Sequence, residues 1–359
     1  MKIAQVSPLY ESVPPQTYGG TERIVSYLTE ELVMQGHDVT LFASGDSVTS
    51  ARLVPVCPHA VRGAEHIVRH VGLVHLLEGV FKSATEFDLI HSHVDFLAFP
   101  LIRRCPVPVL STLHGRLDLP ELQRVYREFS ELPLVSVSAS QRAPCPWANW
   151  HANIYHGLPS SLYRFESQPG GYLAFLGRMS PEKSPETAIH IAMAAGMPLR
   201  MAAKIDPVDR EYFREVIEPR LAHPLIDFVG EITDADKQEF LGHAAAVVCP
   251  YEPEPFGLVL IEALACGTPV LTYRHGSFPE LIEDGVSGFL CDSRADMVRA
   301  VERLPMLDRR RCRDAFERRF TAQRMARNYV AGYQALIDGT LSSLHSGADF
   351  GSLEYGDSD

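Results

Sequence analysis

At 359 residues, 46% apolar and 22% charged, the chain is long enough for two ordinary domains, each with a core of its own. Its formal charge of −12, with no Lys or Arg after Arg327, excludes a broad basic face for nucleic acid, so an anionic ligand has to be held by a few placed cations. Seven cysteines without a CxxC pair read as reduced thiols of a cytoplasmic protein. No secretory leader core and no apolar run of about 18 residues is present; the chain reads as soluble, with peripheral membrane contact left open.

In chain order, Ile3 to Ser7 reads as a short buried strand and Pro8 to Gly20 as a loop rich in Pro and Gly. Apolar residues at Ile24, Val25, Leu28, Leu32 and Val33 then follow helical spacing, with Thr21 as the expected N-cap and Gly36 as the stop. A strand over 38–45 completes a strand–helix–strand unit. Further strands are expected at 87–93, 107–115 and 134–140, with helices around 64–84 and 119–131. A second series opens after Pro159, with strands at 171–178, 198–204, 226–232, 244–250 and 268–274. Its helices are expected near 185–196, 207–221, 234–243 and 258–266. The Pro-, Ser- and Gly-rich stretch 156–171 connects the two series, and the polar, acidic tail from 343 reads as disordered. Alternation of this kind predicts an α/β protein of two Rossmann-like, doubly wound parallel-sheet domains.

In such sheets ligands bind beyond the carboxyl ends of the strands, so chemistry is sought in the residues that follow each strand. The strongest run is CPYEPEPFGLVLIEALACGTPVL. Glu254 precedes a helix whose first amides, at Phe256, Gly257 and Leu258, suit an anion, and Gly257 allows close backbone approach. Glu262 stands alone in an apolar helix and needs partners, for which ligand hydroxyls are candidates beside a core ion pair. In FLGRMSPEKS, Arg178 and Lys183 share one post-strand loop and suit a diphosphate. Gly19 and Gly20 precede the first helix without forming a GxGxxG fingerprint. His114 follows a strand end and is placed to face a ligand cleft. His91, His93 and Asp95 have the look of a metal cluster but lack a clear further ligand; a structural or acceptor-side role is the stronger reading, and no metal site is assigned.

Together these residues resemble a family 4 retaining glycosyltransferase of the GT-B fold, which has two Rossmann-like domains and an interdomain cleft. The resemblance reaches to about residue 335. It rests on GGTER, GRMSPEK, FVGEI and, above all, Glu254-x7-Glu262 within EPFGLVLIEALACGTPV, followed by HGSFPELIEDGVSGFL. It implies an acceptor-side domain over 1–158, a donor-side domain over 159–314, and C-terminal helices over 315–342 that cross back to the first. It also implies transfer of a hexose-type sugar from a nucleoside-diphosphate sugar, most commonly a UDP- or GDP-sugar, without a metal or other cofactor. The acceptor is not identified by the residues: a saccharide, a lipid-linked group or a small molecule would serve. By the same resemblance Arg178 and Lys183 clamp the diphosphate, Glu254 orients the transferred sugar, and Glu262 takes the ribose. Gly230, Glu231 and Ile232 line the base pocket, Gly19 and Gly20 approach the phosphates, and His114 sits beside the reacting sugar. Two positions depart from the family pattern: Ser184 where Gly is usual, and His156-Gly157 where Asn-Gly is usual; neither is expected to touch the chemistry. The alternatives on the same fold are a nucleotide-sugar epimerase and a catalytically silent sugar-nucleotide-binding protein.

Overall fold

Two parallel sheets organise the chain. The computed structural model describes residues 1–16 and 18–339, so the acidic tail expected from 343 and the end of the expected C-terminal helices lie outside the described residues. One compact unit comprises Met1–Pro159 with the helix Ala322–Ile337, and the other comprises Ser160–Thr321.

In the first unit the strands are β1 (Lys2–Val6), β2 (Asp38–Ala43), β3 (Arg52–Pro55), β4 (Leu89–Ser92), β5 (Val109–Thr112), β6 (Leu134–Ser136) and β7 (Trp150–Asn153). They pair in the order β3-β2-β1-β4-β5-β6-β7, all parallel. In the second unit β8 (Leu173–Arg178), β9 (Leu199–Lys204), β10 (Ile226–Gly230), β11 (Ala246–Cys249), β12 (Val270–Tyr273) and β13 (Gly288–Cys291) pair as β10-β9-β8-β11-β12-β13, again all parallel. Each order reverses direction once, between β1 and β4 and between β8 and β11. Such a switch point opens a crevice at the carboxyl ends of the strands. The central strands are buried on both faces, as Ile3, Ala4, Leu89 and Ile90 in one sheet and Leu173 to Phe175, Val247 and Val248 in the other show by their lack of exposure.

Three strands escape the sequence pattern, and all three are edge strands: β3, β7 and β13. Each has only four residues, and β3 has none fully buried, so no apolar run announces it. Two further expectations are corrected. The first helix, Gly20–Met34, takes Gly19 as its N-cap, so Thr21 lies inside the helix rather than capping it. The helix expected over 207–221 is broken into a 3-10 turn, a short α-turn, a π-turn (Phe213–Ile217) and a final 3-10 turn (Glu218–Arg220). Pro207 and Pro219 flank it, and Pro219 has no amide to donate and clashes with the preceding turn. No described helix is long and apolar enough to cross a membrane, and all seven cysteines are free.

Candidate active site

In the second unit the switch point gathers the residues of two loops. β8 ends at Arg178, and a 3-10 turn (Pro181–Lys183) turns the chain into the helix Pro185–Ala195. β11 ends at Cys249, and the loop 250–257 leads into the helix Leu258–Cys266. The loops are stitched together by the Glu252 amide, which donates to the Glu182 carbonyl at 2.8 Å. As a result the Lys183 ammonium meets the Glu254 carboxylate in a close ion pair, with both side chains about four-fifths buried. The Lys183 Nζ also lies 4.5 Å from the ring centre of Tyr251, which is buried and donates its hydroxyl to the Leu176 carbonyl at 2.5 Å. Arg178 forms a close pair with Glu182 and lies 3.6 Å from Asp206, which Lys204 at the end of β9 approaches to 3.2 Å. Three cations, Arg178, Lys183 and Lys204, therefore stand at the ends of adjacent strands, each set against a carboxylate.

Gly257 caps the Leu258–Cys266 helix with φ 114°, a left-handed conformation that L side chains rarely adopt, and so presents the helix's first amides without a side chain over them. Glu262, 2% exposed, is not left to a ligand alone: Lys237 reaches its Oε1 at 2.9 Å, and the Tyr163 hydroxyl donates to the same atom at 3.2 Å. Lys237 belongs to the helix Asp234–Gly242, which follows Gly230, Glu231 and Ile232 at the end of edge strand β10. An ion pair thus ties the helix that follows this segment to Glu262.

In the first unit Gly19 and Gly20 follow β1 through the loop 7–19. A side chain at Gly19 would meet Pro15 Cβ at 2.8 Å, so this loop closes only with glycine there. Glu22, 3% exposed, accepts the Glu11 amide at 3.2 Å and anchors the same loop, and burial raises its carboxyl above the ordinary value. His114 follows β5, and its Nε2 lies 2.9 Å from His93 Nδ1. Burial pushes the His114 imidazole down to about 3, so it is neutral at physiological pH. The amide of His114 donates to the Asp95 carboxyl, which burial pushes up to about 6; Asp95 sits at φ 50° at the start of the 3-10 turn Asp95–Ala98 that follows β4.

His91, His93 and Asp95 do not converge. His91 is held at both nitrogens by Tyr333 and Thr112, each at 2.7 Å, and among the described residues no group of three or more His, Cys, Asp or Glu is arranged to hold a metal. One expectation about the departures from the family pattern is overturned. The buried ring of His156 stacks on His114, with centroids 5.2 Å apart and planes at 17°, so this position touches the candidate site directly. Sequence reasoning also missed Gln5, Tyr329, Tyr333 and Lys237. The available signal was polar residues at inward strand positions and two tyrosines one helical turn apart.

Two family models match the chain: "Glycosyl transferases group 1" over residues 166–316 and "Glycosyltransferase Family 4" over residues 18–149. Among curated proteins, a glycogen synthase of Mycobacterium tuberculosis is 26% identical, with 89% of this chain and 90% of that protein covered. A phosphatidyl-myo-inositol mannosyltransferase of Mycolicibacterium smegmatis is 24% identical, covering 81% and 80%. Among solved structures, a sucrose-phosphate synthase from Thermosynechococcus elongatus superposes with a TM-score of 0.77 at 20% identity, covering 94% of this chain and 99% of that one; at this identity the likeness is one of fold.

Proposed function

The chain belongs to the family 4 glycosyltransferases of GT-B fold, and we propose that it transfers a hexose-type sugar, with retention of anomeric configuration and without a metal, from a nucleoside-diphosphate sugar to an acceptor hydroxyl. The observation that carries this reading is the Lys183–Glu254 pair set beside Arg178 at the carboxyl ends of β8 and β11, against the glycine-capped start of the Leu258–Cys266 helix. A donor diphosphate competes with Glu254 for the Lys183 ammonium, and the carboxylate so released accepts hydrogen bonds from the sugar hydroxyls. In an oxocarbenium-like transition state, charge grows on the leaving phosphate. Arg178, Lys183 and the amides of Phe256, Gly257 and Leu258 are oriented donors for that charge, which is why no metal is required. Glu262, already oriented by Lys237 and Tyr163, takes the ribose, and Gly230, Glu231 and Ile232 border the base. The family resemblance assigns the backbone at Gly19 and Gly20 to the phosphates and His114 to the reacting sugar. The partners are the nucleotide sugar and an acceptor hydroxyl, with no nucleic acid.

Thermal shift against UDP-, GDP- and ADP-sugars tests the donor, because a ligand bound only by the folded state raises the melting temperature with its concentration. One base is expected to stabilise the protein, with nucleoside diphosphate released only when an acceptor is added. Binding followed by epimerisation of the sugar without an acceptor would replace transfer by epimerase chemistry, and binding without turnover across acceptors would leave a sugar-nucleotide-binding protein.

A further inference from the structure

A parallel sheet covered on both faces ordinarily fills its central strands with apolar side chains. In the first unit three of them carry polar groups instead. Gln5 on β1 is paired in register with His91 on β4, and neither has any exposure; His93, just beyond β4, is 1% exposed and Thr112 at the end of β5 is fully buried. The helix Ala322–Ile337 sets Tyr329 and Tyr333, one turn apart, against this row. The Tyr333 hydroxyl lies 2.7 Å from His91 Nδ1 and 3.2 Å from Gln5 Nε2, and the Tyr329 hydroxyl lies 2.9 Å from Thr112 Oγ1, itself 2.7 Å from His91 Nε2. From Gln5 a second branch runs the other way: its Oε1 lies 2.9 Å from His93 Nε2, and His93 Nδ1 lies 2.9 Å from His114 Nε2. The path from Tyr333 to His114 is thus continuous, and each contact needs one proton, so the choice at one atom decides the next.

The direction follows from chemistry. Gln5 donates its Nε2 to Tyr333 and turns its oxygen to His93. An amide oxygen only accepts, so His93 carries its proton on Nε2. Burial holds His93 neutral, far below the usual histidine range, which leaves its Nδ1 as an acceptor. The proton in the next contact therefore belongs to His114 Nε2. Neutral His114 then has its lone pair on Nδ1, an atom that no hydrogen bond engages among the described residues. The other titratable groups around the two rings are His91, His156, Asp95, Tyr329 and Tyr333.

We propose that Gln5 and His93 are positioning residues that lock His114 as its Nε2–H tautomer, leaving Nδ1 to accept a hydrogen bond from a hydroxyl of the reacting sugar, with Tyr333 setting the orientation of the Gln5 amide. The tautomer is a property of the free chain; its use on the sugar rests on the function proposed above. The test is nitrogen NMR of the full chain labelled with 15N-histidine, His114 being assigned by the signal lost in His114→Gln. At neutral pH the expected pattern is a protonated Nε2 and an unprotonated Nδ1; an Nδ1–H tautomer or an imidazolium overturns the proposal. Gln5→Met, which removes the acceptor at similar length, is expected to mix the two tautomers of His114. It should also lower kcat by about 10–100-fold, the scale seen when a metal-ligating histidine loses its outer hydrogen-bond partner, with donor KM nearly unchanged. An unmixed tautomer and unchanged kcat in that variant count against the relay. Gln5→Glu covers the case in which Gln5→Met does not fold. Its carboxylate still accepts from His93 Nε2–H but favours the imidazolium, so the acid limb of kcat/KM should move to higher pH; an unmoved limb overturns the proposal. Should His114→Gln transfer sugar at the parent rate while the tautomer is as assigned, the assignment of His114 to the sugar fails and the relay stands.

Discussion

At the residue scale the two glutamates of the Glu-x7-Glu run separate by environment. Glu254 is partly exposed and, among the described residues, paired with a lysine that a diphosphate can claim, whereas Glu262 is buried and already oriented by Lys237 and Tyr163. Interactions that strengthen in the transition state act on kcat, and uniform binding acts on KM. Glu254→Gln is therefore expected to lower kcat by roughly 10²-fold, the scale of one lost oriented polar contact. Glu262→Gln is expected to raise donor KM and weaken nucleoside-diphosphate binding by about 1–3 kcal/mol. It should also lower the melting temperature, because the buried charge-assisted contact of Lys237 with Glu262 at 2.9 Å is weakened when the carboxylate becomes a neutral amide. Steady-state kinetics with a melting curve for each variant check both; loss of turnover in Glu262→Gln with donor affinity intact would reverse the two roles. Asp95 yields a pH prediction. Its folded-state carboxyl is raised to about 6 by burial, so ionising it opposes folding. The stability lost is lost as pH rises from the ordinary aspartate range through 6. Asp95→Asn should therefore stabilise the protein by about 1–2 kcal/mol at neutral pH and by progressively less below pH 6. Denaturant unfolding at pH 7.5 and pH 4.5 checks this; an equal effect at both would sink it.

At the element scale, the turn that joins β8 to the helix Pro185–Ala195 explains one departure from the family pattern. Ser184 caps both the 3-10 turn and the helix at φ 47° and ψ 50°, a left-handed conformation natural to glycine. The family resemblance places glycine at this position, and the structure supplies the reason. Serine is held there by its neighbours, one of its contacts being its hydroxyl on the Pro181 carbonyl at 3.2 Å. Ser184→Gly should stabilise the second unit by about 1 kcal/mol and leave Lys183 in place, so the donor affinity should stay within about twofold (about 0.4 kcal/mol). A destabilised variant, seen by denaturant unfolding, would mean that the hydroxyl contact outweighs the strain.

At the scale of the whole molecule, the two units share one order over six strands, to which the first adds β7 at an edge, and the candidate side chains stand at or beyond carboxyl strand ends or on an adjoining helix. Phosphate charge in the proposed reaction is met by Arg178, Lys183 and helix amides, so transfer is expected to survive EDTA. Loss of transfer in EDTA that a divalent ion restores would require a metal-held diphosphate instead, as in enzymes that carry a metal-binding carboxylate pair.

What the sequence determined by itself is the class of fold and the family, together with the residues from which the donor side is proposed. Central strands of a parallel sheet are apolar runs, and the Glu254–Glu262 segment carries its carboxylates at a spacing that any helix start preserves. Edge strands β3 and β7 carry no comparable apolar run, and β13 offers only the four residues Gly288–Cys291, so they were legible only once their neighbours were in place. The tertiary structure alone decided the partners. Lys183 and Glu254 are 71 positions apart and pair because two loops meet at one switch point, whereas Lys237 and Glu262 are 25 apart and pair between the helices Asp234–Gly242 and Leu258–Cys266. The contact of Gln5 with Tyr333 spans 328 positions, and it exists because the last helix packs on the first unit. Periodicity along a chain reports which face is buried; it carries no information on which buried polar group, arriving from a distant segment, will satisfy another.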